Sequence, residues 1–187
     1  MKKGIPNKIL LEVVKSAIKS NLGIEKLISK YELVKTYPEF VLPIATFVTI
    51  NKKNKLRGCI GSLVAHQELY NDLVINARKA AFNDPRFKPL EEKELEEIEI
   101  EISILTPMEK VEYSSIEDLK TKITPKIDGV FLMYNNRQST YLPTVWEQIP
   151  DFETFFSSLI EKGQLEKNCL TKGAEVFKYQ TNKIKEK

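Results

Sequence analysis

Three observations predict an α+β fold, with an antiparallel or mixed sheet, flanking helices and room for two lobes. The stretch IEIEISI, residues 98–104, alternates isoleucine with polar residues, the period of a strand with one buried and one wet face. Residues 6–20 and 69–81 instead repeat their apolar positions at helical spacing. The candidate elements also interleave helices with hairpins, without the regular strand–helix alternation of a parallel sheet.

The first helix rests on Ile9, Leu10, Val13, Val14, Ala17 and Ile18, and Gly23 closes it. A short second helix is expected from Ile24 to about Tyr31. PIATFVTI, the polar NKKNK and LRGCIG then read as a hairpin whose returning strand carries the last of these segments. Leu69, Leu73, Val74, Ala77 and Ala81 form the next helix, which the NDP tripeptide ends because a residue before proline avoids helical geometry. After the 98–104 strand, SSIEDLKTKI reads as a helix capped by Ser114 or Ser115. GVFLMY, NNRQ and STYL form a second hairpin, turned on asparagines that tolerate left-handed geometry. PTVWEQ and DFETFFSSLIEKG follow as helices, the second capped by Asp151, and EVFKYQ is a final strand. Lys2, Lys3 and the lysines of NKIKEK are expected to be frayed, solubilising ends.

The length of 187 residues, 42% hydrophobic, suits one globular domain, here bounded at 6–180. No apolar run is long enough to cross a bilayer, and charges interrupt the N-terminal apolar stretch where a signal peptide would be continuous, so a cytoplasmic location is expected. Cys59 and Cys169 lie far apart with no paired spacing, which argues against a disulfide framework or a structural zinc site; no metal and no cofactor are expected. The formal net charge of +3, spread among interspersed Lys and Glu, gives little reason to expect nucleic-acid binding.

The chain uses lysine wherever a generic positive charge suffices and keeps arginine at positions 57, 78, 86 and 137. A guanidinium fork binds carboxylate or phosphate bidentately, so Arg57 and Arg86 are candidates for binding an anionic ligand or for bracing the fold. In LRGCIG, Gly58 and Gly61 could let a ligand approach the backbone. Strict strand alternation would send Arg57 and Cys59 to one side and Leu56, Gly58 and Ile60 to the other. If that side is open, a cation beside Cys59 favours its thiolate and a catalytic role; if closed, Cys59 is a small buried hydrophobe. His66, the one histidine, is more simply an exposed residue near a helix start than the base of a Cys–His dyad. In FNDPRFKP, Asp84 can cap backbone donors, and Arg86 can either pair with Asp84 or join Arg57 in an anion-binding corner. Trp146 fits a core or a cleft wall.

LRGCIGS, AAFNDPRFKPL, IEIEISILTP and YLPTVWEQ, in this order, resemble the signature segments of the AMMECR-type domain family, which includes the AmmeMemoRadiSam system protein A group. The resemblance runs from about residue 6 to about residue 180. It implies a compact α+β domain in which Leu56, Arg57, Gly58, Cys59, Ile60 and Gly61 line a functional cleft, with Asp84, Pro85, Arg86 and Phe87 as a second motif and Leu142 and Pro143 as a third. It also implies Memo-like and radical SAM proteins as partners, and no established reaction. His66 matches no motif position. EKGQL matches its counterpart imperfectly, and Tyr141 stands where phenylalanine is more usual.

Overall fold

The computed structural model describes residues 4–186, so Lys2 and Lys3 lie outside the described residues. The chain divides into two compact units, Met1–Leu105 with Asn182–Lys187, and Thr106–Thr181. Each is built on a four-stranded sheet, and the fold is α+β.

In the first unit the sheet order is β2 (Lys55–Gly61), β1 (Thr46–Lys52), β3 (Ile98–Leu105), β8 (Thr181–Lys185). Helices α1 (Asn7–Asn21) and α3 (Leu69–Phe82) share one core with the sheet, made by Leu10, Val13, Val14, Ala17 and Ile18, by Leu69, Leu73, Ala77 and Ala80, and by Val48, Ile50, Ile100, Ile102 and Ile184. Burying each of the valine, leucine and isoleucine side chains contributes about 1.5–3 kcal/mol, which is what holds the helices to the strands. The β1–β2 turn places Lys53 and Asn54 at φ 52° and 60°, the left-handed pair of a tight hairpin.

Two expectations in this unit are corrected. The second helix, α2, covers Lys30–Thr36 and not 24–31. The amide of Ile28 donates to Ser16 Oγ (3.4 Å) and its carbonyl accepts from the Tyr70 hydroxyl (2.6 Å), so that stretch finds tertiary partners in place of helical ones. Lys183 and Lys185 are not frayed: they belong to β8, with Ile184 in the core and Lys185 on Glu101 at 2.9 Å, while Lys187 lies outside the described residues.

The second unit has sheet order β4 (Glu109–Val111), β7 (Glu175–Tyr179), β5 (Gly129–Tyr134), β6 (Arg137–Tyr141). Asn135 and Asn136, at φ 49° and 61°, make the β5–β6 turn. Ser115 caps α4 (Ile116–Lys122) and Asp151 caps α5 (Phe152–Lys162), each side chain accepting a first-turn amide. PTVWE forms a 3-10 turn, and Trp146 is fully buried, stacked on Phe155 with ring centroids 3.6 Å apart and its indole N–H on the Asp128 carbonyl (2.8 Å). Of its two expected roles, Trp146 takes the core.

Candidate functional site

The candidate site lies at the edge of the first sheet, where β2 ends the strand order. Pairing with β1 sets Gly58 opposite Ile50 and Cys59 opposite Thr49, then slips, so that Asn51 faces Leu56 and Arg57 has no opposite number. This bulge breaks the strict alternation expected of the strand and puts Leu56 on the Cys59 face.

Arg57 is a brace. Its Nε and Nη2 grip Glu94 Oε1 and Oε2 at 3.1 and 3.0 Å, with the two side chains 14% and 11% exposed. Lys52 Nζ (3.1 Å) and the Glu91 amide (3.0 Å) complete the carboxylate's partners. The Arg57 fork, aided by these donors against the cost of burial, pulls the Glu94 carboxyl down to about 2.

Asp84 and Arg86 pair with one another and with the motif. Asp84 Oδ1 accepts from the Arg86 amide (3.1 Å) and Nε (2.9 Å), and Oδ2 accepts from Arg86 Nη2 (2.7 Å) and the Cys59 amide (2.9 Å). Arg86 Nη2 also donates to the Cys59 carbonyl (3.2 Å). The guanidinium, with these amides, holds the buried Asp84 carboxyl well below the usual carboxylate range. The Phe87 ring lies near both guanidiniums, 6.0 Å from Arg57 and 5.5 Å from Arg86. Both forks already hold carboxylates, so the corner is close to charge-neutral. Its exposed cation is Arg86, whose side chain is 53% exposed.

The glycines serve packing. A Cβ at Gly58 would sit 2.1 Å from the Ala80 carbonyl oxygen, so its absence lets α3 lie close on the strand; at Gly61 the Phe47 ring fills the space. Cys59 itself is half-buried, and its sulfur accepts from the Thr49 hydroxyl at 3.2 Å. His66 is exposed, with its amide on the Val64 carbonyl (2.9 Å), and among the described residues no hydrogen bond joins it to Cys59. The described residues contain no group of three or more His, Cys, Asp or Glu placed to hold a metal ion. Among the described residues no helix is long and apolar enough to cross a membrane.

Sequence reasoning missed Thr49, Glu94 and a buried node at Asp72. The fully buried Asp72 carboxylate accepts from the Thr46 amide and hydroxyl, Ser62 Oγ, Gln67 Nε2 and Asn76 Nδ2, at 2.6–3.0 Å. These bonds tie the start of β1, and the chain just after the LRGCIG motif, to α3. The available signal was Asp72 and Asn76 four apart within a helix whose neighbouring positions 69, 73, 77 and 80 are apolar.

Fold and motif together define the class: an α+β protein of two sheet-based units, in which an aspartate and an arginine lock a glycine-framed edge strand to the loop after a helix. A model of the AMMECR1 family matches residues 11–184, and the chain belongs to that family. Among relatives, a Methanothermobacter thermautotrophicus protein is 36% identical over 124 residues, a match spanning 66% of this chain and 65% of that protein. A Saccharolobus solfataricus protein is 35% identical over 87% of this chain and 73% of its own length. The crystal structure of an uncharacterized protein from Pyrococcus horikoshii superposes with a TM-score of 0.85 at 29% identity, covering 97% of this chain and 91% of that one.

Proposed function

We propose that this AMMECR1-family protein is an accessory component of an AmmeMemoRadiSam-type modification pathway. On this reading it offers the Cys59 end of β2 and the exposed side of Arg86 to an anionic ligand or to a Memo-like or radical SAM partner. The observation that carries the reading is the division of labour between the two arginines: Arg57 is sunk against Glu94, whereas Arg86 combines a structural grip on Asp84 with a half-exposed guanidinium beside Cys59. Family membership supports the pathway assignment.

The test compares Arg86→Lys with Arg57→Lys in binding to a purified Memo-like protein, a purified radical SAM protein and inorganic phosphate. Both substitutions keep charge and lose the fork. The expected result is at least about a tenfold loss of affinity for Arg86→Lys, the loss of roughly one charge-assisted bond, with Arg57→Lys affecting stability alone. Equal binding by both variants and the parent would remove the reading.

A second reading, thiol chemistry at Cys59, is favoured by the Thr49 hydroxyl, which donates to the sulfur at 3.2 Å and orients it. Thr49→Val deletes that donor at nearly constant shape. An unchanged alkylation rate of Cys59 across pH in this variant would count against thiol catalysis.

A further inference from the structure

We infer that Asp84 and Arg86 stand in for a missing fifth strand and keep the β2 edge closed against the β2 edge of a second copy of this chain. The inference does not depend on what the site binds. A terminal strand presents outward amides and carbonyls that another strand can pair with, and sheets whose edges are left bare associate. At Cys59 both outward groups are taken by side chains: the amide by Asp84 Oδ2 (2.9 Å) and the carbonyl by Arg86 Nη2 (3.2 Å). One acceptor and one donor on the same residue are what a neighbouring strand would supply.

The pair is rigid enough to act this way. The Asp84 side chain is 2% exposed, and its other oxygen is held by the Arg86 amide and Nε. Pro85, between them, has no N–H with which the loop could extend the ladder. The strand they cover needs protection, because Gly58 and Gly61 leave it little side-chain bulk to fix its register and glycine-rich strands accept alternative pairings. The bulge at Arg57 is a second device of the same kind on the same edge. At the opposite edge, β8 carries Lys183 and Lys185, the charged residues that commonly guard exposed strands.

The experiment measures weight-average mass against concentration, by light scattering, together with hydrogen exchange at the Cys59 amide, for the parent, Arg86→Ala and Asp84→Ala. The parent should keep one mass and a protected Cys59 amide at every concentration. The variants should gain mass as concentration rises, and their Cys59 amide should exchange about tenfold or more faster when dilute, with protection returning as they associate. If the alanine variants do not fold, Asp84→Leu and Arg86→Met, which keep similar bulk but offer no strong acceptor or donor to Cys59, are read by the same two criteria. Folded variants of constant mass, or with Cys59 exchange that ignores concentration, would overturn the inference.

Discussion

The two units solve the same problem, a four-stranded antiparallel sheet that must be covered, with different chemistry. The first combines an aliphatic core with three buried carboxylates, Asp72, Asp84 and Glu94, each saturated by donors. The second rests on Trp146, Phe152, Phe155 and Phe156, with Asp128 as its buried carboxylate. Each unit also holds one cysteine: half-buried Cys59 in the first, and in the second a fully buried Cys169 whose thiol is pushed up by burial. Fixed charges give the first unit directional control over one strand. Ring packing dominates the second, where the buried carboxylate of Asp128 accepts from the Thr124 amide (2.9 Å) and Gln180 Nε2 (3.1 Å).

The largest expected effect breaks the aromatic side of this contrast. Phe155→Ala removes the ring stacked on Trp146 and should cost about 4 kcal/mol in urea melts, the usual scale for a large-to-small change in a core. Next comes the charged side. Glu94 is held near 2 in the folded protein against an ordinary 4.5, so its contribution is complete above about pH 4.5 and declines as pH falls toward 2. Between those limits the parent should lose about 3 kcal/mol through this group. Glu94→Gln should start less stable at neutral pH and show a flatter acid limb.

Two glycine substitutions then sharpen the comparison within the motif. Gly58→Ala meets the Ala80 carbonyl, a backbone atom of α3 that cannot step aside, and should cost about 2 kcal/mol by overpacking. Gly61→Ala meets the Phe47 ring, nearest at Cγ (2.1 Å), which a side-chain rotation can clear without moving backbone, and should cost about 1 kcal/mol. Reversal of that order in thermal melts would mean that α3 is not what Gly58 accommodates.

Much of the fold was legible because it depends on local period and punctuation. The 98–104 alternation, the α1 and α3 stripes, the caps at Ser115 and Asp151 and the Asn135–Asn136 turn all appear where the sequence places them. The bulge at Arg57 was not legible, because a register slip depends on β1 and leaves no mark in β2 itself. Nor were Arg57–Glu94 and Cys59–Thr49, which join residues 37 and 10 apart by tertiary geometry alone. Asp84 with Arg86 was readable as a pair because the two lie on one turn, yet their grip on Cys59 needed the strand in place. Likewise β8 reads as a lysine-rich tail until Ile184 is seen in a core assembled from distant elements.

Cys59 is half-buried at the sheet edge, whereas Cys169 is sealed in the core of its unit. Peptide-level mass spectrometry of the native protein after brief exposure to iodoacetamide measures this directly, with the denatured protein as the reference for full labelling. Cys59 should be alkylated in the native state and Cys169 only after denaturation. Protection of Cys59 equal to that of Cys169 would contradict the account.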